Sequence, residues 1–273
     1  MSLIELKDYS VELMTAVGVL RAVDRVDLRL EHGQTVTIIG ESGSGKSTTA
    51  MSLLGLLDEG LAVNSGTASL LGVDAVEDQR GIAALRGRRV SLIPQDPMSA
   101  LSPVHTVGAQ LRQAVRRGSP GTSRAKAADI AVELLESVRI PEPATQVRKY
   151  PHQFSGGMLQ RILIAIALAA QPEVLVADEP TSALDVTVQA SVLDLLLELQ
   201  ENTGVAILMI THDLGVARLM SDTIHVMRRG RFVESGPAEQ IVHHPQEEYT
   251  RTLLAAVPRV GGELVAVGTE ETQ

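Results

Sequence analysis

The sequence predicts an α/β domain built on a largely parallel sheet, and three observations support this fold class. Short apolar runs recur along the chain in the segments TVTIIG, RVSLIPQDP, VLVADEP and GVAILMITHD. Helical patterns separate these runs, and such alternation is typical of parallel strands joined by helical crossovers. Polar residues follow each run, at the carboxyl ends of strands where ligands of α/β proteins collect. We therefore expect the functional residues at these strand ends.

The remaining segments fit such a domain. Residues 3–13 and the segment LRAVDRVDLRLEHGQ alternate apolar and polar side chains, which predicts two strands. STTAMSLLGLL predicts a helix, and residues 109–138 predict polar helical structure interrupted by an exposed loop, RRGSPGTSR. DVTVQASVLDLLLELQ predicts an amphipathic helix capped by Asp185, and DTIHVMRRGRFVESG predicts a hairpin. The tail after Pro258 has no clear period and is expected to be partly mobile.

Composition argues against several classes of function. The net charge of −9 disfavours sequence-independent nucleic-acid binding, and an aromatic content of 2% disfavours a base-stacking platform. The chain has no cysteine, which excludes disulfides, thiolate zinc sites and iron–sulfur clusters. MSLIELKDYSVEL lacks the features of a signal peptide, and the longest apolar runs are shorter than the roughly 20 residues of a membrane span. Work at a membrane would therefore need a partner protein.

The segment GESGSGKS matches the full pattern of a phosphate-binding loop, or P-loop. It lies between a predicted strand and a predicted helix, which is the context that such a loop requires. Its glycines let backbone N–H groups wrap a phosphate chain, Lys46 reaches the β- and γ-phosphates, and the Ser47 hydroxyl ligates Mg²⁺. The predicted nucleotide-binding residues of this segment are Gly40, Glu41, Ser42, Gly43, Ser44, Gly45, Lys46, Ser47 and Thr48.

Three further strand ends carry residues suited to phosphate chemistry. Asp178 would hold Mg²⁺, and the adjacent Glu179 would act as general base on the attacking water. Two neighbouring carboxylates could instead form a solvated edge, but the P-loop favours the catalytic interpretation. His212 could face the same phosphate or be structural, and Gln95 could contact Mg²⁺ or water or be a turn residue.

The segment FSGGMLQR, followed by ILIAIALAA, predicts a helix that begins with small residues. The N–H groups and the positive dipole end of a helix N-terminus favour an anion. An alternative is an ordinary N-cap by Ser155, with glycines for tight packing. With GESGSGKST, LIPQDP, VLVADEP, SALD and ITHD in this order, however, the chain resembles the ATP-binding cassette family over roughly residues 3–257.

The resemblance implies a fold and a domain organisation. The fold would be a P-loop NTPase (RecA-like) core with an N-terminal antiparallel β subdomain and an inserted α-helical subdomain. The cassette would span residues 3–240, with the helical subdomain at about 98–165. Residues 241–273 would form a short C-terminal extension of the kind found in peptide and nickel importers.

The resemblance also implies roles for individual residues and ATP and Mg²⁺ as cofactors. In this family the serine-glycine-glycine signature binds the γ-phosphate of ATP held on a partner subunit's P-loop. Asp185 would sense the opposite site, and His212 would hold the γ-phosphate and the attacking water. Gln95 would couple Mg²⁺ to the helical subdomain. The predicted set is thus Glu179 and His212 for catalysis, Ser47, Gln95 and Asp178 for the metal, and Gln95, Ser155, Gly156, Gly157 and Asp185 for nucleotide beyond the P-loop.

The sequence departs from the family's pattern at two places. The aromatic residue that usually stacks on adenine falls at Leu13, so base selectivity is expected to be loose, and Tyr9 is a weak substitute. The signature has Phe154 in place of the usual leucine and Met158 in place of the usual glutamine. Because the serine and both glycines are present, phosphate binding is expected to persist.

Further segments resemble the oligopeptide, dipeptide and nickel importer ATPases: DPMSALSPVHTVGAQL, SALDVTVQA and HHPQEEYTRTLLAAVP. The resemblance implies an ATPase that energises uptake of peptides or of nickel or metal chelates. It would lie at the cytoplasmic face of the cell membrane, as a peripheral subunit on two permeases. A second cassette, identical or a sister, would complete the dimer, and an extracytoplasmic binding protein would deliver the substrate.

Two alternatives belong to other classes. A soluble cassette ATPase acting on DNA or ribosomes usually has coiled-coil insertions, two cassettes in one chain or zinc-binding cysteines, none of which this sequence has. The acidic charge also disfavours it, and no nucleic-acid partner is expected. A nucleotide-binding regulatory subunit without turnover is disfavoured because both Glu179 and His212 are present. The sequence leaves the transported substrate open.

Overall fold

A computed structural model describes residues 2–58, 60–182, 184–255, 259–260 and 263–264. The chain divides into two compact units, residues 1–84 with 206–273 and residues 85–205. Of the predicted C-terminal extension, residues 241–255, 259–260 and 263–264 are described. Most of the tail for which mobility is predicted lies outside the described residues.

The described elements alternate between strands and helices over most of the chain. The strands are β1 Ile4–Thr15, β2 Gly18–Leu30, β3 Thr35–Ile39, β4 Ala62–Leu70, β5 Val73–Asp74, β6 Val90–Ile93, β7 Val174–Asp178, β8 Ala206–Thr211, β9 Thr223–Arg228, β10 Arg231–Pro237, β11 Arg259–Val260 and β12 Glu263–Leu264. The helices are α1 Lys46–Leu53, α2 Gln79–Leu85, α3 Pro97–Ala100, α4 Val107–Gly118, α5 Arg124–Ser137, α6 Pro143–Gln146, α7 Gly156–Leu168, α8 Val186–Thr203, α9 Leu214–Met220, α10 Ala238–His243 and α11 Glu248–Ala255, with a 3₁₀ helix at Pro151–Gln153.

The first unit combines an antiparallel sheet with parallel strands. The antiparallel sheet has the order β2-β1-β4-β5. β3 pairs in parallel with β8 on one side and with β9 on the other, and β10 returns antiparallel to β9 as the predicted hairpin. This arrangement confirms the fold class, a mixed α/β core with an N-terminal antiparallel part.

The core of the first unit forms around β3, in which all five residues are buried. Ile39, at its end, belongs to a buried cluster with Val226 of β9, Ile241 of α10 and Leu254 of α11. The C-terminal helices therefore close the apolar face of the sheet on which the P-loop is built. The helix after the P-loop is shorter than predicted, because the chain turns at residues 54–55.

The second unit contains the parallel pair β6–β7 and the helices α3 to α8. β7 is buried throughout, and α7 is apolar enough to bury eight of its thirteen residues. The predicted loop RRGSPGTSR is shorter than expected, since α4 continues to Gly118 and α5 begins at Arg124. Ser123 ends this loop by capping α5, where its hydroxyl accepts a hydrogen bond from the Lys126 N–H.

Among the helices that the structure describes, none combines the length and apolar character needed to traverse a bilayer.

Candidate nucleotide site

The P-loop connects β3 to α1 in the first unit, and the Lys46 side chain folds back onto it. Lys46 is 4% exposed, and its ammonium donates hydrogen bonds to the carbonyl oxygens of Gly40 and Glu41, at 2.8 and 2.9 Å. Gly45 precedes α1 with a φ of 111°, and no side chain caps the helix. A helix cannot satisfy the N–H groups of its first turn from within, so this helix start, with a buried cation beside it, favours an anion.

Two glycines hold the P-loop against the backbone of neighbouring strands. A Cβ atom on Gly40 would lie 2.2 Å from the carbonyl oxygen of Met227, and one on Gly45 would lie 2.4 Å from that of Ala22. Neither carbonyl can move without disturbing its strand, so only glycine fits at these positions. Backbone packing on β2 and β9 therefore sets the shape of the loop.

His212 lies at the same edge of the sheet as the P-loop. β3 and β8 run parallel with Ile39 opposite Thr211, so the residues that follow these strands leave the sheet at one end. The next residue, Asp213, caps α9 by accepting a hydrogen bond from the Gly215 N–H at 2.7 Å. His212 therefore lies between the end of β8 and the cap of α9, at the edge from which the P-loop departs, and it is exposed.

In the second unit, the parallel strands β6 and β7 bring Gln95 next to the carboxylates. The Gln95 Nε2 donates a hydrogen bond to Glu179 Oε2 at 3.0 Å, although the two residues are 84 positions apart. Asp178 ends β7 and is 6% exposed. This hydrogen bond holds the Glu179 carboxylate in place beside the end of β7. A carboxylate that is positioned in this way can act as a general base.

The backbone at Glu179 is strained, which sequence reasoning did not foresee. Its φ is 47°, in the left-handed region that a residue with a Cβ atom enters at a cost of roughly 1–2 kcal/mol. The Ser182 N–H and hydroxyl both approach the Glu179 carbonyl oxygen, at 3.3 and 3.2 Å, and hold this turn. Strain of this kind is concentrated at functional sites, where the surrounding structure maintains it.

The signature residues Ser155, Gly156 and Gly157 form the start of α7. Ser155 occupies the N-cap position with φ −71° and ψ 161°, but its exposed hydroxyl makes no capping hydrogen bond. A Cβ atom on Gly156 would meet open space, whereas one on Gly157 would lie 2.4 Å from a methyl group of Val188. The ordinary N-cap interpretation thus holds for the position of Ser155 but not for its side chain, which makes no capping hydrogen bond.

Asp185 lies beside the signature through the contact between Gly157 and Val188. It caps α8, where its carboxylate accepts a hydrogen bond from the Val188 N–H at 3.0 Å. Asp185 is itself exposed. The starts of α7 and α8 are consequently packed together, with a serine hydroxyl and a carboxylate at their exposed ends.

Tyr249 of α11 is a contact of the P-loop that the sequence did not indicate. Its hydroxyl accepts a hydrogen bond from the Glu41 N–H at 3.4 Å, across 208 positions of the chain. The guanidinium carbon of Arg228 lies 4.6 Å from the centre of the Tyr249 ring. In the sequence, Tyr249 belongs to the segment HHPQEEYTRTLLAAVP, in which no local pattern marks it as a neighbour of the P-loop.

Tyr9 is not available to stack on a base. Its side chain is fully buried, and burial raises the pKa of its phenol to about 12. β1 shifts its register on both sides of Tyr9, and Asp8 has a φ of 47°, so the alternation of the strand is broken and Tyr9, Ser10 and Val11 are buried in succession. Leu13, further along the strand, is only partly buried.

A protein-family model described as ABC transporter matches residues 23–182, more than half of the chain. The chain belongs to the ABC transporter family. Its P-loop, carboxylate pair and signature are therefore parts of an ATP-binding cassette, and the protein is an ATPase.

Relatives of the cassette include two proteins named Dipeptide transport ATP-binding protein DppD. That of Lactococcus lactis is 42% identical over 258 residues, covering 94% of this chain and 74% of the relative. That of Haemophilus influenzae is 40% identical over 259 residues, covering 94% and 78%. Glutathione import ATP-binding protein GsiA of Salmonella typhi is 45% identical over 247 residues, covering 88% of this chain but only 40% of the relative.

Solved structures of cassettes share this fold. The dimeric structure of the cassette MJ0796 in a post-hydrolysis state with ADP and Pi has a TM-score of 0.76 at 26% identity, covering 86% of this chain and 98% of that one. A second dimeric structure of MJ0796, described as a bacterial ABC transporter cassette, gives the same values. A structure described as the ATP-binding subunit of an ABC transporter has a TM-score of 0.69 at 26% identity.

The residues around the P-loop fit a bound triphosphate. Ser44 Oγ is among the described buried polar atoms that have no hydrogen-bond partner within the protein. A hydroxyl buried without a partner is costly, and a phosphate oxygen would satisfy it. With the Lys46 ammonium and the first turn of α1, the loop provides the donors that ATP binding requires.

Proposed function

We propose that this ATPase energises import of dipeptides or oligopeptides. The observation that carries the proposal is the 40–42% identity over 94% of the chain to two dipeptide transport ATP-binding proteins. The match continues beyond the nucleotide-binding segments and covers 74% and 78% of the two relatives. Import of nickel or metal chelates, which the sequence also suggests, remains a prediction.

We propose that Glu179 accepts the proton of the attacking water while His212 orients the γ-phosphate. The hydrogen bond from Gln95 and the strained turn at Glu179 support this assignment, because both fix the carboxylate. Ser47, Gln95 and Asp178 would hold Mg²⁺, which neutralises phosphate charge when bound. In nucleotide sites, Mg²⁺ is usually bound by only a few oxygen ligands from the protein, together with phosphate oxygens.

We propose that the working unit is a dimer in which Ser155, Gly156 and Gly157 complete the ATP site of a second cassette. The exposed, uncapped start of α7 supports this role, since its N–H groups and hydroxyl can serve a ligand outside the chain. The dimeric cassettes with the same fold are consistent with it. Preorganised donors on a transition-state charge are worth about 3–4 kcal/mol each.

The partners follow from the proposed importer. The protein would be a peripheral subunit on the cytoplasmic face of the membrane, bound to two permeases, with an extracytoplasmic binding protein supplying the substrate. We propose the boundaries stated above, residues 3–240 for the cassette with the helical part at about 98–165, and 241–273 for the extension. A second cassette could be identical or a sister chain.

Reconstitution tests the substrate. The protein would be assembled in vesicles with its permeases and binding protein, and ATP hydrolysis would be measured with dialanine, glutathione or a nickel–histidine complex supplied to the binding protein. Stimulation by dialanine supports peptide import. Stimulation by the nickel complex alone would overturn it, and the Glu179→Gln variant gives the background without turnover.

Substitution of the signature tests the dimer. Ser155→Arg places a cation at the start of α7 but changes nothing in the P-loop, so ATP should bind to the isolated chain with unchanged affinity. Dimerisation in ATP, followed by light scattering, and hydrolysis should both be lost. If ATP affinity falls together with dimerisation, Ser155 supports the fold of its own chain and the proposal fails.

A further inference from the structure

The second unit contains an arginine-lined cavity with no assigned role. It has a volume of about 690 Å³ and lies between α4, the start of α5 and the turn that precedes β6. Five of the nine described residues that line it are arginines, and none of the nine carries a carboxylate. The arginines are Arg88, Arg112, Arg116, Arg117 and Arg124. We call the space that they line the arginine cavity.

Helix stabilisation does not explain this concentration of charge. Arg116 and Arg117 lie in the last turn of α4, where the helix dipole favours cations. Arg112, however, stands one turn before Arg116, and like charges four positions apart are destabilising. Arg124 is the first residue of α5, whose N-terminus disfavours a cation and whose first turn has no acidic residue. At least these two arginines are placed against the preference of their own helices.

The arginines of the cavity also lack acidic partners in the part of the chain that the structure describes. Other arginines of the same unit are paired: Arg89 with Glu173 and Arg139 with Glu198. Among the residues that the structure describes, no ion pair of this kind involves the arginines of the cavity. The chain as a whole has a net charge of −9, whereas the five guanidinium groups around this space form a local region of positive charge.

Part of the cavity is held in position by the protein. Arg117 Nε donates a hydrogen bond to the Arg86 carbonyl oxygen at 3.2 Å. The same side chain covers Gly87, where an added Cβ atom would lie 2.7 Å from Arg117 Nε. A fixed guanidinium loses less conformational entropy on binding a ligand than a mobile one.

We propose that the arginine cavity binds a phosphate-rich anion, either a soluble polyphosphate chain or a phosphorylated lipid headgroup. Guanidinium groups bind phosphate oxygens through two parallel hydrogen bonds, and several of them around one space match a ligand with several phosphate charges. The volume lies in the range of small-molecule sites and exceeds the needs of a single phosphate. The N-terminus of α5 beside Arg124 favours the same sign of ligand.

Calorimetric titration with inorganic tripolyphosphate tests the proposal on the complete protein. Because the P-loop also accepts a phosphate chain, the wild type should bind two equivalents. The double variant Arg116→Gln/Arg124→Gln should bind one equivalent, with affinity for the second site weakened at least about tenfold through the loss of charge-assisted hydrogen bonds. Both residues are exposed, so the fold should persist.

A matched control removes the same charge elsewhere in the unit. Lys126→Gln/Arg148→Gln alters two exposed cations that do not line the cavity, and it should retain both equivalents. If this control loses the second equivalent to the same extent, binding reflects general surface charge and the proposal is overturned. An equal affinity of the wild type for polyglutamate would also contradict it, because that polymer has charge without phosphate.

A vesicle arm separates the two sources of phosphate. Co-flotation with vesicles of phosphatidylcholine and phosphatidylglycerol, compared with phosphatidylcholine alone, measures headgroup binding for the wild type and both double variants. Flotation lost in the cavity variant but kept in the control identifies a lipid headgroup. Tripolyphosphate binding without flotation identifies a soluble ligand. If the cavity variant matches the control in both arms, the cavity is not a phosphate site.

Discussion

The starts of α1 and α7 are both suited to phosphate, but they are built in opposite ways. At α1, the glycines of the P-loop are pressed against backbone carbonyls, and Lys46 is buried within the loop. At α7, Ser155 and Gly156 are exposed, and a Cβ atom on Gly156 would meet open space. The start of α1 is therefore a phosphate site enclosed by its own unit, whereas the start of α7 is an exposed surface that needs a ligand from outside the chain. The proposed dimer accounts for this difference.

The largest effect is expected from a substitution of Glu179, which follows β7 and belongs to neither of the two helix starts. Glu179→Gln removes the proposed general base and keeps the shape of the side chain, so hydrolysis should fall about 10²–10⁴-fold. ATP binding at the P-loop should be unchanged, and ATP should trap the dimer. Single-turnover hydrolysis and analytical ultracentrifugation measure the two results. Turnover at the wild-type rate would show that another group accepts the proton.

The glycines provide the direct contrast between the two helix starts. Gly40→Ala drives a methyl group into the Met227 carbonyl, and such overpacking should lower the free energy of unfolding by about 3 kcal/mol and weaken ATP binding. Gly156→Ala should change stability by less than about 1 kcal/mol, because its position is open and helical. Its effect should instead fall on dimer-dependent hydrolysis.

Denaturant unfolding and ATP titration of the two alanine variants measure this contrast. A large loss of stability in Gly156→Ala would mean that the start of α7 is packed within its own chain and would remove the distinction.

Acid should weaken the unit that carries the P-loop through His225. This residue of β9 lies opposite Ile38 of β3, its Nδ1 is 2.7 Å from Ser235 Oγ, and burial lowers its pKa to about 4. Between pH 6.5 and about 4 the unfolded chain binds a proton that the folded chain does not. Stability is therefore retained above pH 6.5 and falls with decreasing pH, by up to about 1.4 kcal/mol per pH unit.

The variant His225→Gln checks this contribution. Its free energy of unfolding, measured by urea titration from pH 7 to pH 4, should depend less steeply on pH than that of the wild type. Parallel curves for the two proteins would assign the acid sensitivity to other groups.

The smallest effect is expected from a substitution of Tyr249. It tests whether ATP binding at the P-loop depends on the contact with α11. Tyr249→Phe removes the acceptor for the Glu41 N–H and keeps the ring beneath Arg228. Loss of one hydrogen bond of about 1 kcal/mol corresponds to roughly fivefold weaker ATP binding. Tyr150→Phe, at a partly exposed tyrosine of the other unit, serves as the control and should leave the affinity unaltered.

The sequence was most informative where the chemistry is contiguous. GESGSGKS follows directly on the end of β3 and contains the loop and the start of α1, so candidate binding residues could be named without a structure. His212 could be proposed because parallel strands end at one edge, and the register of β3 with β8 places it there. The α/β class followed from the alternation of apolar runs and helical patterns, whereas the antiparallel N-terminal part was implied by the family resemblance.

Contacts made across long stretches of chain could not be predicted in this way. The bond from Gln95 to Glu179 and the contact of Tyr249 with Glu41 join residues 84 and 208 positions apart. The arginine cavity gathers side chains from two helices and a turn, and no single segment shows it. The burial of Tyr9 depends on register shifts in β1, which a period-two pattern does not anticipate.

The contact of Gly157 with Val188 has a mechanical consequence. Gly157 has no side chain and Val188 has a stiff, branched one, so the first turns of α7 and α8 pack with no free space between these two residues. Tilting either turn must displace the other, so a force applied at the serine hydroxyl reaches the Asp185 carboxylate without any intervening hinge. Enlarging Gly157 would thus disturb two loops with a single methyl group.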